Sequence, residues 1–216
     1  MSHAVLSEPH HATASTFSSG RTFVWVVLAV WGAIVFAIAA NGLFPTPPGT
    51  PPLKILAAVA VPIALFVGAY FASPTVRDLV LTADLRLITS LHALRFVGFG
   101  FLGFYAVGLL PAHFAWPAAL GDMAIAVTAP WLARAVRERT NVVASKTFVV
   151  WNLFGILDFV VAVTMAGAAP LLFPSLRTGV GNELLAQLPL VLIPTYVVPM
   201  FTIFHLIALI QARHRR

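Results

Sequence analysis

The sequence predicts an all-α membrane protein that crosses the bilayer six times and keeps both termini in the cytoplasm. Of its 216 residues, 60% are hydrophobic and only 9% are charged, whereas a soluble domain carries roughly a quarter charged residues. The apolar residues form six runs of about 20 residues, the length that a helix needs to cross the hydrocarbon layer. Proline-rich or charged segments separate these runs, so each run is predicted to form one transmembrane helix.

The first third of the chain is predicted to contain a tail, two spans and a helix at the membrane surface. Residues 1–21 are polar and lack hydrophobic periodicity, which indicates a disordered cytoplasmic tail. Residues 22–44 and 53–72 are the first two spans, and the proline-rich turn between them, residues 45–52, cannot be helical. Residues 73–87 mix four charged residues with Leu and Val, which is typical of a helix lying at the membrane interface.

Four further spans follow, at residues 87–110, 118–136, 147–168 and 184–211. A turn from Pro111 to Pro117 connects the first two of them. The prolines inside these spans are predicted to kink a helix rather than end it, because neighbouring helices or water can satisfy the freed carbonyls. The six helices form one transmembrane domain, residues 22–211, and a basic cytoplasmic tail, residues 212–216, completes the chain.

The distribution of basic residues predicts the orientation. Two of the 13 Lys and Arg residues, Lys54 and Arg177, lie on the side opposite the termini, and Arg95 lies within a span. The other ten lie on the side of the termini, and cytoplasmic loops carry such an excess of Lys and Arg. They are Arg21, Arg77, Arg86, Arg134, Arg137, Arg139, Lys146, Arg213, Arg215 and Arg216.

Composition also excludes several classes of protein. The chain has no Cys, which removes disulfides, thiolate metal sites, iron–sulfur clusters and thiol nucleophiles. No basic stripe with interleaved aromatic residues is present, so nucleic acid is not an expected partner. No motif of a known hydrolase or phosphate-binding loop occurs in a suitable context. We therefore expect neither an enzyme nor a metal site, and no cofactor is predicted from motifs.

Four ionisable residues inside the predicted spans are the best indication of function: Arg95, Asp122, Asp158 and His205. A charge at the bilayer centre costs roughly 2.5–3.5 kcal/mol, so each requires a partner, a water-filled cavity or a function. Counting about 1.5 Å per residue places Arg95 roughly 12 Å and Asp158 roughly 17 Å from the cytoplasmic boundary. We therefore predict an Arg95–Asp158 pair. Asp122 is expected to stand apart, in the outer half of span four, and is an alternative partner of Arg95 only if span three is tilted or the cavity contains water.

A polar layer is predicted closer to the cytoplasm, where His92, Asn152 and His205 lie at similar depth. His92 precedes Arg95 by three residues, so both share one helical face. Asn152 and Asp158 point about 120° apart on their helix, so both can border only a wide cavity. The alternative interpretation is structural, because polar groups within spans also join helices, at about 0.6 kcal/mol each on average.

The third span also contains a series of small residues that predicts close helix packing. Gly98, Gly100, Gly103 and Gly108 lie in its second half, and small residues allow two helix backbones to approach each other within a membrane. We interpret the series as a packing surface rather than as a loop that binds a ligand.

Between Arg95 and Gln211 the chain carries a set of recognisable short motifs: Arg95, Leu109-Leu110-Pro111, Gly121-Asp122, Thr128-Ala129-Pro130, Trp151-Asn152, Gly155, Pro194-Thr195, Val198-Pro199 and His205. In these residues the chain resembles a family of small bacterial multi-span proteins of unknown activity. The resemblance implies a recurring arrangement in a bacterial inner membrane. It supplies no activity, substrate or cofactor.

Three hypotheses for function follow. The first is a polar cavity between spans three and six, with Arg95, Asp122, Asn152, Asp158 and His205 at its site, that binds or passes a small solute or a proton. The second is a membrane cytochrome with haem b held between His92 and His205. The third is a non-catalytic assembly or interaction factor, which would act as a homo-oligomer or with another membrane protein.

Overall fold

The computed structural model describes residues 11–47, 50–139, 141–177 and 180–215, and it is helical without strands over these ranges. Within them, six helices are long and apolar enough to cross a membrane. We number them spans 1 to 6 in chain order: Thr22–Ala40, Leu53–Ala72, Leu85–Ala106, Ala112–Glu138, Lys146–Ala168 and Ile193–His214. The all-helical class and the number of apolar helices predicted from the sequence are therefore confirmed.

The largest differences between the predicted and observed helix boundaries occur at three places. The first helix runs from His11 to Ala40, so its start falls inside the predicted tail, of which residues 1–10 lie outside the described residues. Span 4 begins at Ala112 rather than at residue 118, because Pro117 is accommodated inside the helix. Span 6 begins at Ile193 rather than at residue 184, with Pro194 in its first turn. Proline is tolerated there because the N–H groups of the first turn have no acceptor within the helix.

The connection between spans 2 and 3 contains the short helix that the sequence predicts, at Pro74–Thr82. Ser73 caps its first turn by accepting a hydrogen bond from the Val76 N–H. Span 3 has a separate start, because the Asp84 carboxylate accepts from the backbone N–H groups of Arg86 and Leu87 at 2.9 and 3.1 Å. Such caps satisfy N–H groups that have no partner inside the helix.

Three segments within the spans are not regular α-helix. In span 3, a 3₁₀ segment, His92–Phe99, separates the α-helical pieces Leu85–Leu91 and Gly100–Ala106. Span 5 is α-helical over Lys146–Val163 and ends in a π-helical turn, Thr164–Ala168, which continues into Ala169–Leu172. Span 6 begins with a π-helical turn, Ile193–Val197, and continues as an α-helix over Val198–His214. Short 3₁₀ turns, Pro174–Arg177 and Glu183–Ala186, lie between spans 5 and 6.

Spans 3 to 6 form the centre of the molecule, and spans 1 and 2 lie outside it. Span 4 packs against spans 3 and 5, and span 6 packs against spans 5, 3 and 2. Span 1 contacts the start of span 6, where the Tyr196 hydroxyl donates to the Leu28 carbonyl at 2.9 Å. In the most apolar 18-residue stretch of each span, 6% is buried in spans 1 and 2, compared with 28% to 39% in spans 3 to 6.

Candidate functional site

Arg95 lies at the centre of the four inner spans, and the 3₁₀ segment of span 3 positions it there. With three residues per turn, every third residue of such a segment lies directly above the last. His92, Arg95 and Gly98 therefore share one face, and all three are buried. Arg95 itself is only 2% exposed. A guanidinium at this depth requires hydrogen-bond partners for its five donors.

Two carboxylates share one edge of the Arg95 guanidinium. Its Nε–H donates to Oδ1 of Asp122 at 2.7 Å, and its Nη2 donates to Oδ2 of Asp158. These adjacent donors usually bind both oxygens of a single carboxylate. Here each carboxylate takes one donor. One positive charge consequently faces two negative charges, and the three groups carry a net charge of −1 when all are ionised.

The other side of the guanidinium faces spans 5 and 6. Nη1 donates to Nε2 of His205 at 3.2 Å and to the Gly155 carbonyl at 3.5 Å. The aromatic ring of Phe159 lies 3.9 Å from Cζ, measured to the ring centroid, a geometry in which the ring face attracts a cation. Arg95 therefore joins residues of all four inner spans.

Hydrogen bonding defines the tautomer of His205. An arginine can only donate, so Nε2 of His205 accepts and the ring proton lies on Nδ1. Nδ1 is 2.9 Å from Oδ1 of Asn152, whose Nδ2 donates to the Phe148 carbonyl at 2.8 Å. The Asn152 amide is thus oriented by the backbone, and it in turn orients the imidazole. His205 contacts neither carboxylate, so its role here is to hold Arg95.

Three glycines make room for the polar side chains, one on each of three consecutive spans. A Cβ atom added at Gly98 of span 3 would collide with Asp122 of span 4, and one at Gly121 of span 4 with Asp158 of span 5. One at Gly155 of span 5 would collide with His205 of span 6. Each polar side chain therefore rests on a glycine of the preceding span, which lets the helices approach closely.

His92 stacks on His205, and this geometry does not fit a haem. The ring centroids are 4.0 Å apart and the planes differ by 26°. Axial ligands instead point their nitrogens at the iron from opposite faces of a porphyrin. No porphyrin fits between stacked rings, and both His205 nitrogens already have partners. Neither ring nitrogen of His92 has a hydrogen-bond partner among the described residues.

Two aromatic side chains, His92 and Trp151, lie beside the ionic cluster on the side where spans 3 and 5 begin, and we call them the aromatic layer. Besides His205, the His92 ring contacts Trp151 and Phe201, with centroids 5.3 and 4.9 Å away. Trp151 is held in place because its indole N–H donates to Oγ1 of Thr128 at 2.8 Å.

A cavity of about 670 Å³ leads from the ionic cluster towards the other end of the bundle. Arg95, Asp122 and Asp158 lie at its inner end, which we call the floor. Its walls are mainly apolar and include Phe101, Phe114, Ala118, Phe159 and Ala162. Its outer end, which we call the rim, lies among the loops that follow spans 1 and 5 and the first turn of span 4. It includes Pro45, Pro47, His113, Asn182, Glu183 and Gln187.

The structure brings together every residue of the predicted polar site. The predicted partners Arg95 and Asp158 contact each other. Asp122 does not stand apart but forms the second ion pair of Arg95. Because span 4 starts six residues earlier than predicted, Asp122 lies about 9 Å deeper than the predicted boundary implied. Asn152 and Asp158 both belong to the site although they point apart on their helix. Asp158 binds Arg95 directly, whereas Asn152 binds His205, which contacts Arg95 from the opposite side.

Sequence reasoning missed two parts of the site. The first is the space that Gly98, Gly121 and Gly155 leave for particular side chains. Gly98 and Gly121-Asp122 both stand out in the sequence, but not for this role. The spacing of a glycine does not reveal which side chain will rest on it. The second is the rim, where His113 lies in a segment predicted as a turn and Glu183 directly precedes the predicted start of span 6.

These features define a class: an all-helical protein with six apolar helices of membrane-spanning length and a buried ionic cluster at the base of a cavity. The chain belongs to the family described as a domain of unknown function (DUF8737), whose model matches residues 50–213. The match includes spans 2 to 6 and every residue of the ionic cluster, and leaves span 1 outside. Searches of curated proteins and of solved structures found no match.

Proposed function

We propose that this chain is a multi-pass membrane protein that binds a small solute in the cavity between spans 3 and 6 and passes the solute or a proton across the membrane. The observation that carries the proposal is a cavity of about 670 Å³ that ends on a buried guanidinium shared by two carboxylates. Ligand sites commonly occupy about 300–1,000 Å³, with apolar walls and a few polar groups. Ionisable residues within a span are a functional site by default.

The balance of charge in the cluster supports the proton as the coupled ion. One guanidinium with two carboxylates leaves an excess negative charge in a site of low polarity, and an unpaired buried charge is strongly unfavourable. Binding of one proton or one cationic group neutralises the cluster. Since arginine stays charged, Asp122 and Asp158 are the groups that exchange the proton, with Arg95 as the fixed counter-charge.

The orientation in this proposal follows the charge distribution. With the predicted cytoplasmic location of the termini, in a bacterial inner membrane, the rim would face the outer side and the aromatic layer of His92 and Trp151 the cytoplasmic side. A solute that enters from the rim stops at Arg95. Passage then requires the aromatic layer to move.

The cavity can be tested with introduced cysteines because the chain has none of its own. Ala162 lines the cavity one helical turn beyond Asp158, whereas Val160 is 56% exposed on the outer surface of the same span at nearly the same depth. In nanodiscs, Ala162→Cys is expected to react with 2-hydroxyethyl methanethiosulfonate at least tenfold faster than Val160→Cys. Equal rates would show that water does not fill the cavity, and the proposal would fail.

Passage can be measured in proteoliposomes that contain a pH-sensitive dye, with a potassium diffusion potential as the driving force. The unaltered protein is expected to admit protons, either alone or on addition of a solute mixture. Asp158→Asn is expected to abolish this flux. Asp78→Asn is the matched control, because Asp78 lies exposed on the short helix Pro74–Thr82. If Asp158→Asn folds and conducts as the control does, the carboxylate does not carry the proton.

A further inference from the structure

We infer that the solute is an organic cation with an apolar body, whose charged nitrogen binds at the carboxylates of the floor. This inference rests on the proposed function and specifies the class of ligand. Three features support it: the sign of the charge that lines the cavity, the unused hydrogen-bonding groups, and the aromatic walls.

The cavity is acidic although the chain is basic. The whole sequence carries a formal charge of +6. Among the described residues that line the cavity, Arg95 is the only Lys or Arg, whereas three carboxylates line it, those of Asp122, Asp158 and Glu183. The lining therefore has a formal charge of −2. Clefts with charge of one sign and walls of low polarity raise the local concentration of the opposite ion.

Unused acceptors lie at both ends of the cavity. On the floor, Oδ2 of Asp122 and Oδ1 of Asp158 receive no hydrogen bond from the described residues and rest on glycines. At the rim, Nδ2 of Asn182 donates to the Ala166 carbonyl at 3.0 Å, which leaves Oδ1 as its acceptor. This buried Oδ1 has no partner within the described part of the chain. A ligand that offers N–H donors complements such a surface, whereas an anion does not.

The walls select for a ligand with an apolar body. Phe101, Phe114 and Phe159 line the path between the rim and the floor. An inorganic cation would lose its hydration along this path without enough oxygen ligands to replace it. Aromatic rings instead stabilise organic ammonium groups through their faces and bury the hydrocarbon attached to them. Phe159 already performs this role for Arg95.

Charged thiol reagents test the sign of the cavity at Ala162→Cys. Modification rates are measured with 2-(trimethylammonio)ethyl and with 2-sulfonatoethyl methanethiosulfonate, each divided by its rate with 2-mercaptoethanol in solution. We expect the cation to react about tenfold or more faster than the anion, in line with the rate gain of a charged cleft. Glu183→Gln is expected to reduce this ratio severalfold. Glu138→Gln, which alters an exposed carboxylate at the far end of span 4, is expected to leave it unchanged.

Three outcomes separate this inference from the proposed function. A strong preference for the cation, reduced by Glu183→Gln, supports both. Equal normalised rates, or faster reaction of the anion, overturn the inference and leave the solute cavity standing. If neither reagent modifies Ala162→Cys faster than Val160→Cys, the cavity is closed to water and both fail. Glu183 is exposed, so its substitution tests the cavity without disturbing the buried cluster.

A competition experiment tests the ligand class directly. With 2-hydroxyethyl methanethiosulfonate as the reagent, 2-phenylethylammonium is expected to slow modification of Ala162→Cys at least threefold. The anion 3-phenylpropionate and the neutral 2-phenylethanol, of similar shape, are expected to have no effect. Protection by the neutral or anionic compound, without protection by the ammonium compound, would overturn the inference. So would protection by potassium chloride at the same concentration, since it would show that an apolar body is not required.

Discussion

Spans 3 to 6 and spans 1 and 2 are both apolar, yet they are built on different principles. In the inner group each of spans 4 to 6 contributes one polar side chain that rests on a glycine of the span before it, and all three side chains contact Arg95. In the outer pair, a Cβ atom added at Gly68 of span 2 would meet nothing within 4 Å. Span 1 contacts the rest through Tyr196, whose ring lies beside Gly32, and through an apolar cluster that includes Val35.

This difference separates the residues that determine the site from those that surround it. A substitution in the inner group displaces a charge that has few alternative partners. A substitution in the outer pair changes contacts that lipid can replace, because lipid tails are as apolar as the side chains. The family match sets apart span 1 alone, since it begins at residue 50 and includes span 2 of the outer pair.

The largest effect is expected from Arg95→Gln. The substitution leaves two buried carboxylates without their counter-charge, and breaking a buried ion pair costs about 3–5 kcal/mol. The free energy of unfolding in mixed micelles should therefore fall by this amount. Arg134→Gln is the control, because Arg134 pairs with Glu138 at the exposed end of span 4, where an ion pair contributes at most about 1 kcal/mol. If the two variants lost similar amounts of free energy of unfolding, the ion pairs of Arg95 would not be more important for stability than an exposed pair.

Gly121→Ala is expected to have the next largest effect. The added methyl group would overlap Asp158, and forcing extra volume into a packed interior costs about 1–3 kcal/mol. Gly68→Ala on span 2 adds the same group where it meets nothing, and it should be neutral or stabilising by up to about 1 kcal/mol. Thermal unfolding of the two variants measures the contrast directly. If Gly121→Ala left the unfolding temperature unchanged, Asp158 would not depend on the space that this glycine leaves.

Asn152→Leu tests the support beneath Arg95. Asn152 and Asn41 each donate to the carbonyl four residues earlier at 2.8 Å, but only Asn152 also accepts from His205. Removing it leaves a buried N–H unpaired, at a cost of about 1–3 kcal/mol. Asn41→Leu, at the end of span 1, should cost less than about 1 kcal/mol because that amide is exposed. Equal costs would mean that the bond to His205 contributes nothing.

The smallest effect is expected from Tyr196→Phe. It removes only the hydroxyl that donates to the Leu28 carbonyl and keeps the ring packed beside Trp31. A single neutral hydrogen bond contributes about 0.5–1.5 kcal/mol. The free energy of unfolding should fall by that amount, and the reactivity of Ala162→Cys should not change. Altered reactivity would show that the outer pair controls the cavity, against the division drawn above.

Much of the fold could be predicted from the sequence, because long apolar runs have few alternatives to helices in a membrane. Depth counting also predicted that Arg95 meets Asp158, since both residues lie well inside their spans. The same counting misplaced Asp122, because it depends on where span 4 begins. Pro117 suggested a turn at that point, whereas the helix continues through it.

The finer geometry depends on contacts that a linear pattern does not contain. Gly98 and Gly100 are two residues apart, yet only a side chain at Gly98 would meet Asp122. His113 reaches the cavity from the first turn of span 4, and Asn182 reaches it from the loop that follows span 5. These two residues come together because of how the four inner helices pack, and the spacing of residues along the sequence does not predict it.

The 3₁₀ segment of span 3 also changes the length of that helix. Such a segment rises about 2.0 Å per residue against about 1.5 Å in an α-helix, so the eight residues His92–Phe99 add about 4 Å. Its ends are also rotated by roughly 160° relative to an α-helix of the same eight residues, since each residue turns about 20° more. Span 3 thus holds an extended and overwound form. In a regular α-helix that starts at His92, Arg95 would lie about 1.5 Å lower and be rotated by about 60°, so the 3₁₀ winding sets the direction in which its side chain leaves the helix.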